Sequence, residues 1–541
     1  MKVDFRIISI TEGTKINEIL AAYTESKSDL ILFDENSVVS QPHLELLTDY
    51  PRKTVTALVA PLFEGDIRVI GDRVVGASSS FHRAGGGNST FVGVMRLSQN
   101  QRQDVIAVMS AIGDSKVSAN PLDLILVALV RAGVFVACAK VTFAPYIRSS
   151  NPDLRSKVKT EIDSLNEATL RLKMANRAND GFYSVFVLRK FSKLFTWAAV
   201  RLRVTPNQIT LISFAIGLFS AYQFSRGDFW SIFAGAILLQ LSIIVDCVDG
   251  ELARYTRRFS QLGAWLDAIT DRIKEYLVFF ALAYGAAKNS RDLWIPAMVM
   301  MVFQTFRHLS DYNFARINKV RSTDLPVIDF NLQSDGFIPI KHAKKSRLEY
   351  WAKKVIQFPI GERWLVISAS SVIGGAAFTF TVMPIFAVIS MAAVFRARLR
   401  VTRRWPKERV NKVLIDDQLD FFKNKRSTNR FDWLEPSLLR AIEGAVIIWL
   451  TIVTEVNRPA AFLLLFAIIY GHYDNLYRAL QGEQKPQWLS IAGAFILGRL
   501  AVIGVFIFFS WSISPLVWYF GVLFLLVSSA QWVISHKMRE N

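Results

Sequence analysis

Cysteine and histidine are scarce in this chain. Cys138 and Cys247 are the only cysteines among 541 residues, and they lie far apart in the sequence. A disulfide framework is therefore excluded, and a reducing compartment is expected. The six histidines show no zinc-ligand spacing, which argues against a structural zinc motif.

No signal peptide is visible in residues 1–10, and long apolar runs are absent from the first third of the chain. Residues 1–10 mix charged side chains into a strand-like pattern, whereas a signal peptide needs an uninterrupted apolar segment. We therefore expect the N-terminal part to stay in the cytoplasm.

Apolar runs of roughly 20 residues, enough to span a bilayer, recur after Thr205. Hydrophobic residues make up 52% of the chain, as expected of a membrane protein. The sequence predicts six spans and then four more. They cover residues 208–225, 229–248, 262–286, 293–308, 364–381 and 383–396, then 436–454, 459–474, 488–509 and 515–535.

The distribution of positive charge orients these spans. Residues 307–363 contain 11 Lys or Arg and residues 396–430 contain 12, so both loops are predicted to face the cytoplasm. The alternate loops contain only Arg226, Lys288, Arg291 and Arg458. Anionic lipid head groups beside the spans account for much of the net charge of +19, and no nucleic-acid partner is predicted because no binding motif accompanies the charge.

Four aspartates occur at helical intervals between two apolar runs. Asp246 and Asp249 lie three residues apart and Asp267 and Asp271 lie four apart, so each pair occupies one face of its helix. If the two helices are antiparallel neighbours joined by a polar turn at residues 255–261, the four carboxylates converge at one end of the pair. Acids in apolar helices usually carry function, and the alternative is that they lie on solvated helix ends.

Clustered carboxylates need a counter-charge. Oxygen ligands favour a hard divalent cation over zinc, so we expect a one- or two-metal centre, with Mg²⁺ or Mn²⁺ as the cofactor. The predicted ligands are Asp246, Asp249, Asp267 and Asp271. The small residues Gly250, Ala253 and Gly263 leave room for a diphosphate, and the Arg254 guanidinium suits phosphate oxygens.

The full pattern D-x2-D-G-x2-A-R-x8-G-x3-D-x3-D resembles the signature of the CDP-alcohol phosphotransferase family at every defined position. The resemblance implies a six-helix membrane core that transfers a phosphoalcohol group from a CDP-alcohol to a hydroxyl acceptor and releases CMP. It implies further that Asp271 takes the acceptor's proton and that the protein is a homodimer. The donor is expected to be CDP-diacylglycerol or CDP-inositol, and the acceptor a polar alcohol.

The segment before the first span carries a second part of the resemblance. Thr205, Pro206, Asn207 and Thr210 match a T-P-N-x-x-T segment of the same family, which implies that Asn207 contacts the cytidine diphosphate. Pro206 in a first helical turn, with Thr205 as its cap, is equally an ordinary helix start. Both interpretations remain open.

Residues 1–180 alternate strand-like and helix-like stretches, which indicates a layered α/β domain. The predicted strands cover residues 5–10, 30–33, 55–59, 66–70, 91–95 and 133–137, and the predicted helices cover 16–24, 101–112 and 121–131. The glycine cluster at residues 84–88 is interpreted as a turn between strands.

Placed ahead of such a membrane module, the domain resembles the cytidylyltransferase half of bifunctional inositol-phosphate cytidylyltransferase and di-inositol-phosphate-phosphate synthase proteins. The loop from Thr11 to Lys15 departs from that family, since it has one glycine and one lysine where a glycine-rich, arginine-containing loop is needed. We therefore expect a degenerate nucleotidyltransferase that serves binding, regulation or assembly.

The prediction as a whole is a multi-pass α-helical membrane protein with an N-terminal cytoplasmic α/β domain at 1–180, a six-helix CDP-alcohol phosphotransferase domain at 181–400, and about four further spans of unknown role at 401–541. Glu443 and Arg499 favour an interhelical ion pair in these last spans, and residues 471–478 favour a solvated helix end, although either group could close over an acceptor or mediate assembly. Two alternatives remain, a cation-coupled transporter and a non-catalytic scaffold. A transporter would place ionisable residues along one path and carry an internal repeat, and no repeat is visible.

Overall fold

The computed structural model describes residues 5–48, 54–62, 65–70, 72–82, 86–113, 119–175, 181–323, 347–403, 431–454, 456–480 and 485–540. The described part of residues 1–176 forms one compact unit, and the described parts of 177–321 and 346–541 form a second.

The N-terminal unit is built on a mixed seven-stranded sheet. The strands of the unit are β1 (Phe5–Ile10), β2 (Asp29–Asp34), β3 (Ser37–Val38), β4 (Thr56–Pro61), β5 (Ile67–Ile70), β6 (Arg73–Ala77), β7 (Ser89–Leu97), β8 (Val136–Lys140) and β9 (Ile147–Arg148). The sheet order is β1-β2-β7-β4-β8-β6-β5, and β3 pairs with β9 separately. β1 runs parallel to β2 and β4 parallel to β8, whereas the other neighbours along this order are antiparallel.

The helices of this unit are α1 (Ile16–Glu25), α2 (Gln41–Glu45), α3 (Arg102–Ile112), α4 (Pro121–Arg131), α5 (Pro152–Asp163) and α6 (Glu167–Met174). Helices α1, α3 and α4 bury apolar side chains in one core with the sheet. Helix α4 begins where the Asn120 side chain accepts a hydrogen bond from the Leu122 amide and Pro121 occupies the first turn. The predicted layered α/β architecture is confirmed.

The predicted elements match the structure except for its short and polar ones. Each predicted strand and helix has a counterpart, with bounds shifted by up to three residues. The prediction omitted β3, β6 and β9 and the helices α2, α5 and α6. α5 carries only a narrow apolar stripe at Leu154, Val158 and Ile162, and none of its residues is buried.

The glycine cluster lies between β6 and β7, as the turn interpretation requires, although Ala84 and Gly85 fall outside the described residues. The Asn88 side-chain amide forms two hydrogen bonds with the backbone of Val69. Its Oδ1 accepts from the Val69 N–H at 2.8 Å, and its Nδ2 donates to the Val69 carbonyl oxygen at 2.9 Å. Asn88 therefore pairs the connection with strand β5.

The second unit is helical. After a π-helical stretch at Ser184–Leu188 it contains α7 (Arg189–Arg201), α8 (Pro206–Arg226), α9 (Phe229–Thr256), α10 (Gln261–Lys288), α11 (Trp294–Thr323), α12 (Arg347–Ile356), α13 (Ile360–Thr402), α14 (Glu435–Val453), α15 (Arg458–Leu480), α16 (Gln487–Ala492), α17 (Phe495–Phe508), α18 (Ser514–Gly521), a second π-helical stretch at Val522–Ser528, and α19 (Ser529–Glu540).

Each of the ten predicted spans lies on these helices to within one residue at its ends, and the span 488–509 is divided between α16 and α17. Five described segments are long and apolar enough to cross a membrane: Phe229–Thr256, Ile360–Thr402, Glu435–Val453, Gln487–Phe508 and Ser514–His536. They contain six of the ten predicted spans, and the spans in α8, α10, α11 and α15 remain predictions. A break was predicted between residues 381 and 383, and this position was wrong. The helical backbone is interrupted instead at Gly375, whose φ of 70° suits a residue without a Cβ.

Helix α8 lies at the centre of the site-bearing helices. It packs closely against α9 and against α10, whereas α9 and α10 approach each other less closely. Convergence of the acids was predicted on the condition that α9 and α10 are neighbours; the two helices do meet, through side chains rather than close backbone packing, while α8 packs against both. The α9–α10 connection is also shorter than predicted, with Arg257 in the left-handed region after α9 and Ser260 capping α10.

A buried carboxylate anchors helix α7 to α9. Glu251 is fully buried and accepts hydrogen bonds from Arg189 Nη1 at 2.6 Å, Ser192 Oγ at 2.8 Å and Thr196 Oγ1 at 2.6 Å. The acid therefore has a structural role, although it follows Gly250 directly in the signature.

Candidate active site

Three acids of the signature converge. Asp246 of α9 and Asp267 and Asp271 of α10 each offer one carboxylate oxygen, and these atoms lie within 4.8 Å of one another. The four-residue spacing places Asp267 and Asp271 on one face of α10. All three are partly exposed, so the cluster is open to a ligand.

The fourth acid, Asp249, is not in this group of three. It is 7% exposed, and its Oδ2 accepts a hydrogen bond from Thr210 Oγ1 at 2.6 Å. Thr210 belongs to the predicted T-P-N-x-x-T segment, so the structure joins that segment to the signature through Asp249.

A buried lysine lies between two of the acids, and sequence reasoning missed it. Lys274 Nζ is 2.6 Å from Asp246 Oδ1 and 3.1 Å from Asp271 Oδ1. The ammonium also donates to Ser213 Oγ at 3.0 Å and lies 5.2 Å from the Trp364 ring centroid. A charged residue inside a predicted span was the available signal, but its partner on α9 depends on helix packing.

Gly217 of α8 makes room for this lysine. A Cβ atom built on Gly217 would lie 2.7 Å from both Cγ and Cδ of Lys274. The backbones of α8 and α9 are joined nearby, because Ser213 Oγ donates to the Ser242 carbonyl at 3.0 Å and Ser242 Oγ donates to the Ser213 carbonyl at 2.8 Å. Small residues thus let the helices approach while the lysine side chain passes between them.

Asn207 lies against Gly263 at the N-terminal ends of α8 and α10. A Cβ on Gly263 would lie 2.7 Å from Asn207 Oδ1 and 2.8 Å from Ser260 Oγ. Thr205 caps α8 in a capping box with Gln208, so the helix-start interpretation of this segment is correct for Thr205 and Pro206. Asn207 itself is held beside the signature, as its predicted role requires.

Gly250, Ala253 and Arg254 share the last turns of α9. The Arg254 guanidinium extends over Gly250, where a Cβ would lie 3.2 Å from Nη1 and 3.4 Å from Nη2. Ala253 and Arg254 are partly exposed. The small residue at 250 therefore allows the guanidinium to lie flat on the helix.

The donor set fits a divalent cation. Three carboxylate oxygens within 4.8 Å of one another offer hard ligands of the kind that Mg²⁺ and Mn²⁺ bind, with Asp249 in the next turn. Lys274 supplies one positive charge beside the group, which leaves a net negative site.

A second set of charges lies beside the acids on α10, α11 and α13. Glu275 accepts from Arg363 Nε at 2.8 Å and Nη2 at 3.1 Å, and from Arg272 Nη1 at 3.0 Å. Arg307 is 4% exposed, and within the described part of the chain its Nε and Nη1 have no hydrogen-bond partner. Both polar atoms of the buried Gln304 side chain are likewise unpaired among the described residues. Such buried donors normally need a ligand or water.

The structure corrects one prediction for the last spans and agrees with another. The solvated helix end predicted at residues 471–478 is wrong, because His472, Asp474 and Arg478 are at most 2% exposed. Glu443 and Arg499 form the predicted ion pair, with Nε to Oε1 at 2.6 Å and Nη2 to Oε2 at 3.1 Å.

Comparison with known families identifies this region. Residues 203–331 match the family model of CDP-alcohol phosphatidyltransferases, and the chain carries a domain of that family. The predicted resemblance is therefore confirmed, and the domain supports the predicted enzyme class. Residues 377–537 match a family of unknown function, DUF5941.

Two relatives of known name are similar to this chain over part of their length. The chain is 34% identical over 146 residues to the bifunctional IPC transferase and DIPP synthase of Archaeoglobus fulgidus, covering 27% of this chain and 29% of that protein. It is 36% identical over 97 residues to the phosphatidylinositol phosphate synthase of Streptomyces avermitilis, covering 17% and 38%. The chain thus spans between a quarter and two fifths of the length of these relatives.

A solved structure, the inositol-1-phosphate CTP transferase from T. maritima, is 15% identical with a TM-score of 0.22, covering 27% of this chain and 62% of that one.

Proposed function

We propose that this chain transfers a phosphoalcohol group from a CDP-alcohol to a hydroxyl acceptor and releases CMP, in phospholipid or inositol-phosphate synthesis. The observation that carries the proposal is the convergence of Asp246, Asp267 and Asp271 within 4.8 Å inside a CDP-alcohol phosphatidyltransferase domain. The contact of Asn207 with Gly263 supports a nucleotide site at the N-terminal ends of α8 and α10.

The proposed metal ligands are Asp246, Asp249, Asp267 and Asp271. These carboxylates would hold Mg²⁺ or Mn²⁺, and the ion would supply positive charge for the diphosphate oxygens of the donor. Lys274 holds Asp246 and Asp271 at fixed positions through its two ion pairs.

The remaining site residues bind and orient the donor. Gly250, Ala253 and Gly263 leave space for the diphosphate beside the helix backbones, and Arg254 offers a guanidinium for phosphate oxygens. Asn207 is proposed to contact the cytidine diphosphate. The Asp271 carboxylate is proposed to accept the proton of the acceptor hydroxyl during attack.

The acceptor is proposed to carry a phosphate. Arg272 directly follows Asp271, and its Nη1 lies 3.0 Å from His308 Nδ1, next to Arg307 on α11. The Nε and Nη1 of Arg307, unpaired among the described residues, offer buried donors for an anion. The similarity to a DIPP synthase and to a phosphatidylinositol phosphate synthase supports an inositol-phosphate acceptor with CDP-inositol or CDP-diacylglycerol as donor.

The test is CMP release by the purified, detergent-solubilised protein. CDP-diacylglycerol and CDP-inositol are offered separately against inositol, inositol phosphate, glycerol phosphate and serine. We expect release with one donor and a phosphorylated acceptor, loss of release with a chelator, and recovery with Mg²⁺ or Mn²⁺. Metal and CDP binding without release from any pair would favour the scaffold alternative.

Asp271→Asn tests the proton acceptor. It should abolish turnover and weaken donor binding much less, because it retains the shape of the side chain. The matched control is Asp228→Asn at the other end of α9, where the Asp228 side chain caps the helix and asparagine caps equally well. Unchanged turnover in Asp271→Asn would exclude the assigned role.

A homodimer and a cytoplasmic N-terminal domain remain predictions. Crosslinking in native membranes and protease access from each side would test them.

A further inference from the structure

The C-terminal helices contact the helix that bears two of the acids. Helix α15 packs directly against α10, and both belong to the same compact unit. Residues of α15 fall in the family of unknown function and outside the CDP-alcohol phosphatidyltransferase match. Two contacts between these helices lie on either side of Asp267 and Asp271 in the sequence.

The first contact precedes the acids. Trp265 Nε1 donates to Asp474 Oδ1 at 3.3 Å, and Trp265 is only 4% exposed. Because Trp265 lies two residues before Asp267, the two side chains leave α10 about 200° apart around its axis. The tryptophan therefore points away from the acidic cluster, and α15 supports α10 from the opposite side.

Asp474 is itself held firmly. Arg478 Nε lies 3.1 Å from each carboxylate oxygen, and Ser528 Oγ donates to Oδ2 at 2.5 Å. The Trp265 ring also lies against Trp532 of α19, with ring centroids 6.4 Å apart. Helices α10, α15 and α19 thus meet at one buried tryptophan.

The second contact follows the acids. The Tyr473 hydroxyl lies 3.0 Å from the Tyr276 hydroxyl and 2.9 Å from His308 Nδ1. His308 in turn contacts Arg272, the residue after Asp271, with 3.0 Å between Nδ1 and Arg272 Nη1. Tyr276 is 11 residues after Trp265, which is about three helical turns.

The two contacts fix α10 before and after its carboxylates. A helix segment held at two points three turns apart can neither rotate nor slide freely, so the directions of Asp267 and Asp271 are set as well. We infer that Tyr473 and Asp474 are positioning residues for the carboxylates of α10, which makes the C-terminal helices an integral part of the active site. The expected effects on turnover rest on the proposed function. The expected effects on metal binding do not.

The test uses two substitutions that each remove a polar contact between α10 and α15; the tyrosine variant keeps its ring, whereas the tryptophan variant also replaces the buried indole by a smaller phenyl ring. Tyr473→Phe removes the hydroxyl that contacts Tyr276 and His308, and Trp265→Phe removes the donor to Asp474. The matched control is Tyr470→Phe on the same helix, whose hydroxyl contacts Ser529 and no group of α10. The full-length protein is assayed for kcat, for the KM of the donor, for Mn²⁺ binding by electron paramagnetic resonance, and for Tm.

We expect both α10-directed variants to bind Mn²⁺ several-fold more weakly and to lose about tenfold in kcat, because small misplacements of catalytic groups are costly. The donor KM should change little in either variant, the Tm of Tyr473→Phe should stay close to that of the wild type, and Tyr470→Phe should behave as the wild type. Wild-type Mn²⁺ binding in both Tyr473→Phe and Trp265→Phe would overturn the inference. So would equal losses in all three variants with a lowered Tm, because this would indicate a general stability effect.

The Mn²⁺ measurement separates this inference from the proposed function. If the wild type binds Mn²⁺ but releases no CMP from any substrate pair, the proposed function fails and the Mn²⁺ comparison still decides the positioning role. If the wild type binds no Mn²⁺, the positioning of metal ligands is overturned as well.

Discussion

The aliphatic chain of Lys274 crosses the backbone of Gly217. An atom at the Cβ position of residue 217 would lie 2.7 Å from Cγ and from Cδ of the lysine. This crossing brings the buried ammonium within ion-pair distance of Asp246 on one helix and Asp271 on another. The small residue at position 217 of α8 thus leaves the space that lets the ammonium of Lys274 reach the acids of α9 and α10.

Gly217→Ala should displace Lys274 from the acids. Two atoms in the middle of the side chain must move, so overpacking should cost about 1–3 kcal/mol of stability. We expect CMP release to fall about tenfold because the carboxylates lose their shared cation. Turnover and Tm are compared with Gly504→Ala, since Gly504 has no atom within 4 Å of its built Cβ. Wild-type turnover in Gly217→Ala would show that the lysine position is not needed.

Gly263→Ala should weaken donor binding by moving Asn207, which lies 2.7 Å from the built Cβ. We expect the donor KM to rise about tenfold, equivalent to about 1.4 kcal/mol, with a smaller change in kcat. Asn207→Ala should cause a similar rise, and the double variant should add little, because both changes remove one interaction. Gly521→Ala is the control, as its Cβ would meet nothing within 4 Å. Fully additive effects would argue against a shared nucleotide contact.

Replacing only Glu443 of the Glu443–Arg499 ion pair should lower the stability of the protein more than replacing both residues. Glu443→Gln leaves Arg499 buried without its counter-ion, and breaking a buried pair in this way typically costs about 3–5 kcal/mol. Replacing both residues by leucine should cost less, since no uncompensated charge remains from the pair. Thermal unfolding midpoints in detergent test the order of stability. A double variant less stable than Glu443→Gln would contradict it.

The N-terminal unit should lack nucleotidyltransferase activity. The loop from Thr11 to Lys15 has one glycine and one lysine for a triphosphate. Asp34, an acid at the end of β2, has its Oδ2 bonded to Arg148 Nε at 2.8 Å and to Asn120 Nδ2 at 2.9 Å, so it has a structural role within the domain. We expect no CTP-dependent pyrophosphate release from inositol phosphate by the full-length protein. Detection of such release would defeat the degenerate assignment.

Arg148→Met should destabilise this unit in a pH-dependent way. Burial raises the pKa of the Asp123 carboxyl, and the hydrogen bond from Arg148 Nη1 at 2.7 Å opposes the rise. Without the arginine the folded-state pKa rises further above the unfolded value, so the variant is destabilised at neutral pH and recovers as the pH falls through that pKa. Hydrogen exchange of β2 in the full chain, at pH 7.5 and at pH 5, measures the difference. Arg171→Met, which removes a pair with the half-exposed Glu167, should show much less dependence.

The helix positions and the acidic signature could be predicted from the sequence, because the apolar and acidic residues that mark them recur at short intervals along the chain. Asp246, Asp267 and Asp271 were assigned to one site from their spacing, and the structure brings their oxygens together. Asp249 was placed in the same group, but its contact with Thr210 depends on how α8 packs on α9. The break at Gly375 was misplaced because an apolar run does not indicate where a backbone turns.

Residues 471–478 show the limit of local reasoning most clearly. A run of polar side chains at a helix end is usually exposed to solvent. The sequence does not show which other helices pack against this run and bury it. In the structure His472 contacts Glu443 of α14, and Asp474 contacts Trp265 of α10. Each of these partners is more than 25 residues away along the chain.

The sequence by itself determined the helical membrane class and the acidic signature, because hydrophobic length and residue spacing are properties of consecutive residues. Only the tertiary structure showed that Lys274 passes Gly217 and forms an ion pair with Asp246. It also showed that Arg148 pairs with Asp34 and that α15 packs against α10. These contacts join residues far apart in the chain, and a side chain finds such a partner only when close packing brings the two helices or strands together.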